Sequence, residues 1–484
     1  MTTPHAFVLR SALVLFLSGL LALAPEAVHG QSGMRSVKAV STGGGTSVFD
    51  TGPAALYSNP ANLTVGPNDH SLEMQLFRVG AYHGGDFYQF EHIDPLFYDN
   101  EKALPKDKQN DKQKAILDDW FGGDQQTAST YLEVVPLSIT HRPSDRSWAV
   151  GFGIRGRTIQ TSAVNKGLFD VLLRGTGEDR TVPVDGRSRA YATVDVTGAF
   201  SYRFSSVPLS VGVAPRVIFG TAFADAALNS QATVSGDSLV HRFDYTARAA
   251  GPLSTGLFDT FNAFNDDPVD EVVGGSSGIA GVGGGLDLGA TYTVRPGLLV
   301  SASITDLGRI TWTQDAQTVT PVKDAFRFEG VTLDSDRIDD EYDGATGEYI
   351  EDQVDSLAHA AYEDVNRDRS SFSTGLPTTL HVNSTWDQGL VTLNGGASIG
   401  LNEDAGAVPS PAALHVGGTL HLGPVPIRAG ARVFGTQAVA LSGGFGLDLG
   451  FYRFDLGASI TPSTSTLGSG ARYAVSLSLA TIRF

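Results

Sequence analysis

The sequence predicts an all-β protein, a closed antiparallel transmembrane β-barrel of about 14 strands with a small N-terminal helical hatch in its lumen. Three observations support this fold class. Apolar residues alternate with small or polar residues in one segment after another, which is the pattern of a pleated strand with two different faces. These segments run for about 9 to 13 residues, the length that a tilted strand needs to cross a bilayer. Aromatic residues lie near the ends of the segments, as in the girdles at a membrane interface.

The alternation is clearest in the segment Trp148–Arg157. One face carries Trp148, Val150, Phe152 and Ile154, and the other carries Ala149, Gly151, Gly153, Arg155 and Arg157. Residues 191–204 and 209–219 repeat the pattern, and similar segments fill most of the chain after residue 380. Because the inward residues are mostly small, they predict a lumen that holds either water or another part of the chain.

The last segment ends with SLATIRF, which resembles the aromatic ending of many outer-membrane barrels. Its apolar residues change parity between Leu479 and Ile482, so we expect either a bulge or a different facing. A soluble β-sandwich or β-repeat protein would also show alternation. The segment length, which exceeds the usual 5 or 6 residues of a soluble strand, and the terminal Phe484 favour the barrel.

The chain divides into three predicted parts. Residues 1–30 combine a basic residue, an apolar run and a tail of small residues, which is the composition of a secretory signal peptide. Residues 31–66 form the predicted hatch, and residues 67–484 form the barrel, with charged loop insertions at about 95–128 and 324–371. An exported barrel of this kind is expected in the outer membrane of a Gram-negative bacterium, in contact with its lipid.

The composition limits the partners. The formal net charge is −18, which disfavours a basic face for nucleic acid or anionic headgroups. Cysteine is absent, so neither disulfides nor thiolate metal sites hold the fold together. We expect no nucleic-acid partner, no cofactor and no bound metal.

The stretch Ser41–Gly66 has the features of a compact helical piece. Thr51 is a candidate helix cap, Pro53 fits the first turn, and the Asn59-Pro60 pair ends the helix. Residues 61–63 add another turn. A small piece of this kind ahead of the first strand is suited to fold back into the lumen as a plug.

This stretch resembles the N-terminal hatch motif of the long-chain fatty-acid transporter superfamily of outer-membrane barrels. The matching residues are Gly43, Gly44, Gly45, Asp50, Ala54, Ala55, Leu56, Tyr57, Asn59, Pro60 and Ala61. The resemblance implies a barrel of about 14 strands whose lumen is blocked by the hatch. It also implies candidate ligand or gating residues in the hatch, namely Asp50, Leu56, Tyr57, Asn59 and Pro60.

A second resemblance lies in Val300–Thr313 and Ser370–Trp386, which flank a long acidic stretch. Their order is similar to that of an outer-membrane family of unknown function, related to the transporter superfamily. Because a fold does not determine an activity, this resemblance implies the architecture more firmly than the function.

Both charged insertions are predicted to be solvated loops. The cluster Asp334–Asp343 suggests calcium, but a loop starting at Asp339 places Ile350 where a calcium loop needs Glu. Residues 355–369 are a candidate helix that lies either over the barrel mouth or within it. Residues 100–121 are lysine-rich and have helical spacing, which predicts a surface helix or lid.

Catalytic signatures occur only in the wrong structural context. Gly274–Gly278 has the letters of a nucleophile elbow but is followed by IAGVGGG, which cannot form the required helix. Gly151, Gly153 and Gly156 match a dinucleotide fingerprint but fall inside an alternating segment. We therefore expect no enzyme activity.

Two hypotheses of function remain open. The first is a channel or transporter in which a small apolar ligand enters a pocket above the hatch, and a rearrangement near residues 50–59 opens a route. The second is a non-transporting scaffold or a secretion or assembly component, whose loops bind an envelope or secreted protein. An apolar pocket or lateral opening would favour transport, and a sealed lumen filled with side chains would favour the scaffold.

Overall fold

The computed structural model describes residues 36–44, 50–66, 70–85, 87, 106–121, 125–174, 179–235, 238–254, 278–328, 365–401, 413–434, 438–461 and 472–484. The predicted signal peptide, residues 1–30, lies outside the described residues. So do residues 274–277 of the elbow-like motif and the acidic cluster Asp334–Asp343.

Within these ranges, twenty strands form one sheet. They are β1 (Leu72–Gly85), β2 (Gln126–His141), β3 (Trp148–Val164), β4 (Arg180–Pro183), β5 (Gly186–Arg203), β6 (Leu209–Ser235), β7 (Ser238–Ala250), β8 (Gly281–Arg295), β9 (Leu298–Trp312), β10 (Gln317–Pro321), β11 (Ala325–Phe328), β12 (Val365–Asp368), β13 (Phe372–Gly375), β14 (Thr379–Asp387), β15 (Val391–Gly400), β16 (Ala413–Leu422), β17 (Val425–Phe434), β18 (Ala438–Asp448), β19 (Tyr452–Thr461) and β20 (Arg472–Arg483).

The helices are few and short. The α-helices are α1 (Val37–Ser41), α2 (Lys106–Phe121) and α3 (Lys166–Arg174), and the two 3-10 helices are Gly52–Tyr57 and Pro60–Thr64. None of the helices in the described part of the chain is both long and apolar enough to cross a membrane.

Fourteen of the strands close into a ring. The pairing runs antiparallel through β1, β2, β3, β5, β6, β8, β9, β14, β15, β16, β17, β18, β19 and β20, and β20 pairs with β1 from Glu73↔Arg483 to His83↔Tyr473. Closure pairs the backbone groups of the first and last strands, which would be costly to leave open in lipid. The predicted closed barrel of about 14 strands is confirmed.

The two ends of the barrel differ in the length of their connections. Short turns join β2 to β3, β5 to β6, β8 to β9, β14 to β15, β16 to β17 and β18 to β19. The longer connections lie at the other end, where β6 extends to 27 residues and pairs with β4 and β7, and β7 pairs with β10 and β11. In barrels of this class the short turns face the periplasm and the long connections face the outside.

The wall has an apolar outside and a polar inside. Phe152, Val194 and Val416 are among the exposed apolar side chains, whereas Arg155 and Asp195 of the opposite parity are buried. Exposed aromatic residues near the short-turn end form the predicted girdle: Trp148, Tyr202, Phe204, Tyr292, Trp386, Phe451 and Phe484. A closed barrel with an apolar belt and an aromatic girdle is built for the outer membrane of a Gram-negative bacterium, and the protein is located there.

The parity change in β20 is caused by a bulge. The register of β19 with β20 shifts between Arg453 and Asp455. Residues that face inward before the shift include Ser476 and Ser478, whereas after it the buried residues include Thr481 and Arg483. The bulge changes the facing so that the terminal Phe484 is exposed with the rest of the girdle.

Of the two helices predicted in the charged insertions, one is confirmed and the other is wrong. Helix α2, Lys106–Phe121, confirms the helical spacing of the basic insertion, and its Trp120 ring lies 5.2 Å from Phe169 of α3. The helix predicted over residues 355–369 is wrong at Val365–Asp368, which forms strand β12 and pairs with β10. The pairing partner, which is distant in sequence, outweighs the local helical spacing there.

Candidate functional site

The N-terminal segment, defined here as residues 36–44 and 50–66, occupies the lumen near the short-turn end. Helix α1 contacts β17–β20, and the second 3-10 helix contacts β3, β5, β6 and β8. Near the short turns, Thr64 Oγ1 donates to Ser210 Oγ at 3.0 Å, and Arg142 Nη1 donates to the Val65 carbonyl at 3.2 Å. Part of the chain therefore fills the space left by the small inward residues.

Inward glycines form the seat of this segment. A Cβ atom placed on Gly417 or Gly430 would collide with the backbone around Thr42, and one placed on Gly444 or Gly457 would collide with Ser41. The other half of the seat, under the two 3-10 helices, is made by Gly151, Gly153, Gly212 and Gly289. At Gly212, Gly417 and Gly430 the backbone of the segment lies against the backbone of the wall, so a side chain has no room there. At Gly151, Gly153 and Gly289 the space is taken by the side chains of Leu56, Tyr57 and Asn59.

All five residues predicted for the hatch site, Asp50, Leu56, Tyr57, Asn59 and Pro60, are buried. Asp50 Oδ1 accepts a hydrogen bond of 2.6 Å from Ser36 Oγ, so it joins the first 3-10 helix to the N-cap of α1. Thr51 occupies the N-cap position of that helix, but its side chain does not make the expected capping bond. The chain there forms 3-10 turns, as Pro53 and Pro60 occupy their first positions.

Asn59 connects the segment to the wall. Its Nδ2 donates to Thr291 Oγ1 at 3.1 Å, and its Oδ1 accepts from the Ala61 amide at 3.1 Å as the cap of the second 3-10 helix. Thr291 Oγ1 in turn donates to Asn62 Oδ1 at 2.6 Å. One side chain therefore both starts the helix and docks it on β8.

Replacing Asn59 by Ala is expected to lower the free energy of opening of the N-terminal segment by about 1–3 kcal/mol, because a cap and a buried wall contact are lost together. Hydrogen exchange of the Ala61 and Asn62 amides measures this free energy. The exposed Asn366 is the matched control, and Asn366→Ala is expected to leave the exchange unchanged. Equal exchange in both variants would show that Asn59 does not hold the segment.

Burial shifts the pKa values of the segment. The pKa of Lys38 falls to about 7 because the ammonium group is buried and the Arg453 guanidinium repels it, while Asp455 acts in the opposite direction. Burial raises the pKa of Asp50, against the hydrogen bond from Ser36 and the attraction of Lys38. Burial also raises the pKa of Tyr57 to about 12, against the nearby Arg155.

Above the segment lies a layer of buried charges, called here the ion layer. Its members are Arg78, Glu133, Arg155, Arg157, Asp195, Arg216, Asp287 and Asp306, and each side chain is 2% exposed or less. Asp195 Oδ2 lies 2.6 Å from Arg155 Nη2 and 2.9 Å from Arg157 Nη2. Asp306 Oδ1 lies 3.0 Å from Arg157 Nη1 and 2.9 Å from Arg216 Nη1. Four arginines and four carboxylates balance each other across β1–β9.

The ion layer also holds the N-terminal segment. The Arg155 guanidinium lies 4.8 Å from the centre of the Tyr57 ring, and that of Arg78 lies 5.8 Å away. Contacts of this kind between a cation and an aromatic face are stronger when both groups are away from water. Tyr57, one of the predicted site residues, is therefore the contact between the hatch and the ion layer.

On the long-connection side of the ion layer is an apolar and aromatic layer. It includes Tyr131, Ile159, Tyr191, Ile218, Phe223, Ile310, Trp312 and Leu376. The rings of Phe223 and Trp312 are 5.0 Å apart. A recess with about 210 Å³ of space between atoms opens in this layer, lined by Arg189, Tyr191, Phe223, Ile310, Thr374, Gly375 and Leu376.

The recess lies where the wall changes partner. Strand β9 pairs with β14 from Leu298 to Thr305 and with β13 from Arg309 to Trp312. Between these stretches Asp306 and Gly308 have positive φ angles of 58° and 148°, and the Asp306 amide donates to Asp287 Oδ1 at 2.6 Å. The buried Leu376 lies opposite this break in the segment that follows β13. Its backbone amide donates a hydrogen bond to the Gly308 carbonyl. The ion layer thus holds the strained side of the break in place.

The sequence predicts a helical segment inside the lumen, but it did not identify the ion layer or the recess. Arg155 and Arg157 share the face of the small residues in a predicted strand, and charged residues at such inward positions were the available signal. Their pairing across the lumen depends on strand order and register. Leu376 and the break in β9 had no local signal.

Comparisons of the whole fold find other outer-membrane barrels. The toluene transporter TodX of Pseudomonas putida is 12% identical, with 94% of this chain and 99% of that chain covered and a TM-score of 0.46. A FadL homologue of Pseudomonas aeruginosa is 14% identical, with 95% and 100% covered and a TM-score of 0.46. At these values the likeness is one of general barrel architecture and carries no argument on substrate.

Comparison by sequence gives the family. No curated protein sequence matches the chain. The model of a family of unknown function, DUF5723, matches residues 76–415, a span that contains the acidic stretch and both segments that flank it. This match confirms the second resemblance drawn from the sequence, and the chain belongs to the DUF5723 family.

Proposed function

We propose that the protein is an outer-membrane channel for small apolar compounds, and that this structure is its closed form. The observation that carries the proposal is the apolar recess inside the lumen, at the break between β9 and the segment Leu376–Thr378. Ligand sites are concave and mostly apolar, with a few polar groups that orient the ligand. Phe223, Ile310 and Leu376 supply the apolar lining of such a site.

The ion layer determines the route. A compound that enters from the long-connection end meets the aromatic layer first and then eight buried charges. An apolar molecule gains nothing from displacing these paired groups, since each charge left unpaired costs several kcal/mol. The route therefore leads sideways through the barrel wall at the break. There the hydrogen-bond ladder of β9 with β13 and β14 is already interrupted.

The recess must enlarge before it can be occupied. In this structure the gaps between its lining side chains do not admit even a water-sized sphere, whereas ordinary ligand sites have roughly 300–1,000 Å³. Leu376 is the side chain that must move, because it fills the break and also lines the recess. In this proposal Asp50, Leu56, Tyr57, Asn59 and Pro60 keep the hatch closed beneath the ion layer, and the protein performs no chemistry on its ligand.

Replacing Leu376 by Trp tests the proposal, with toluene as the probe. We expect the larger side chain to fill the recess and to weaken toluene binding by about tenfold, since overpacking a site costs about 1–3 kcal/mol. Binding to the barrel in lipid nanodiscs is measured by NMR saturation transfer, and uptake of labelled toluene by cells is measured alongside.

The matched control is Leu479→Trp, which places the same side chain on the exposed outer face of β20. It is expected to bind toluene as the native protein does. If the native protein binds no small aromatic probe above empty nanodiscs, or if both variants bind toluene equally, the channel proposal is wrong.

The ion layer also favours a second candidate function, a scaffold that binds an envelope or secreted protein. The N-terminal segment and the eight paired charges fill the lumen and seal it. A scaffold has no need to open its lumen, so it would keep this sealed state. Native mass spectrometry on the barrel extracted in mild detergent separates the two candidates. A stoichiometric protein partner with no small ligand supports the scaffold, and a stoichiometric apolar molecule supports the channel.

A further inference from the structure

The recess is lined by one buried hydroxyl group, that of Tyr191, which has no hydrogen-bond partner among the described residues. Tyr191 lines the recess and is 6% exposed, and no hydrogen-bond partner lies within reach of its hydroxyl among the described residues. A hydroxyl buried without a partner is unfavourable, because it loses its bonds to water and gains none in return. A partner that enters the recess can supply the missing hydrogen bond.

The other polar side chains of the recess are already engaged. Arg189 binds Asp225 through two hydrogen bonds of 2.9 Å each. Thr374 Oγ1 accepts a hydrogen bond of 2.8 Å from Trp312 Nε1. The remaining lining groups are Phe223, Ile310, Gly375 and Leu376, which offer no polar side chain. Among the lining residues of the recess, Tyr191 is the one whose buried polar side-chain atom has no hydrogen-bond partner in the described part of the chain.

Tyr131 is a tyrosine of the same apolar layer whose hydroxyl does have a hydrogen-bond partner. Its hydroxyl donates to Glu133 Oε2 at 2.5 Å, so it is held by the ion layer. Tyr191 belongs to the same apolar cluster but its hydroxyl makes no such bond. The difference between the two residues indicates that burial in this layer does not by itself leave a tyrosine unpaired.

We infer that the recess takes a small apolar compound that carries a single hydroxyl or similar hydrogen-bonding group, and that Tyr191 recognises this group. The inference rests on the proposed channel function and narrows its substrate class. The apolar body packs against Phe223 and Ile310, where aromatic faces favour a flat partner. The polar group of the ligand exchanges a hydrogen bond with the Tyr191 hydroxyl, which discriminates against an analogue that lacks the group.

Phenol and toluene are the probes, because they have nearly the same shape and differ in one hydroxyl. Dissociation constants for both are measured on the full barrel in lipid nanodiscs by NMR saturation transfer, with empty nanodiscs as the blank. The ratio of phenol affinity to toluene affinity is expected to fall by about tenfold in Tyr191→Phe, the loss of one buried hydrogen bond. Because phenol and toluene have nearly the same size, a substitution that only changes the size of the recess alters both affinities alike and leaves their ratio unchanged.

Tyr131→Phe is the matched control, since it removes a hydroxyl from the same layer that is already bonded to Glu133. It is expected to leave the affinity ratio unchanged. Heat-dependent migration on gels shows whether each variant retains the folded barrel. If both probes bind but Tyr191→Phe leaves the ratio unchanged, the inference is wrong and the channel proposal stands. If neither probe binds the native barrel, the channel proposal fails and the inference fails with it.

Discussion

Replacing Asp195 by Asn is expected to lower the free energy of unfolding of the barrel by about 3–5 kcal/mol. The Asp195 carboxylate is buried and binds the guanidinium groups of Arg155 and Arg157, at 2.6 and 2.9 Å. Asn has the same shape as Asp but carries no charge. The two guanidinium groups therefore stay buried but lose the carboxylate that balances their charge. The cost comes from that uncompensated positive charge.

Urea unfolding of the barrel in lipid vesicles measures the change. Asp145→Asn is the control, because Asp145 lies exposed in the turn between β2 and β3 and contributes within about 0.5 kcal/mol. A loss of less than about 1 kcal/mol in Asp195→Asn would mean that the ion layer is hydrated. In that case it would not block an apolar compound, and the argument for a sideways route would be lost.

Replacing Gly430 by Val is expected to expel the first part of the N-terminal segment from its seat. A Cβ atom at Gly430 would lie 2.6 Å from the Gly43 amide nitrogen and would also collide with the Thr42 backbone. Thr42 caps the C-terminus of α1 through amide hydrogen bonds to the Lys38 and Ala39 carbonyls, so a shift of its backbone also displaces the end of α1. Overpacking of about 1–3 kcal/mol raises the unseated population by roughly 5- to 140-fold.

Limited proteolysis with trypsin measures the unseated population, because Lys38 lies in α1 and is only partly exposed in the seated state. Cleavage after Lys38 is expected to be faster in Gly430→Val. The control Gly198→Val adds the same side chain in β5, where a Cβ atom has nothing within 4 Å, and should be cleaved as slowly as the native protein. Slow cleavage in both variants would show that the seat tolerates a side chain and does not depend on glycine.

The sequence alone determined the fold class, because the barrel follows from local information. Alternation in segments such as Trp148–Arg157 needs only the geometry of a strand, and the length of the segments needs only the thickness of a bilayer. The Asn59-Pro60 pair likewise determined where the first helix of the hatch ends, since proline restricts the residue before it. Even the bulge in β20 was visible as a change of parity between Leu479 and Ile482.

The tertiary structure alone decided how the lumen is filled. Asp195 and Asp306 meet Arg157 only after the ring has closed in one register, because β5 and β9 approach β3 from different parts of the chain. The same closure turns isolated glycines such as Gly212 and Gly430 into a seat, and it places Leu376 in a break of β9. Local sequence carries the period of a strand, whereas contacts across a lumen depend on the order and stagger of strands far apart in the chain.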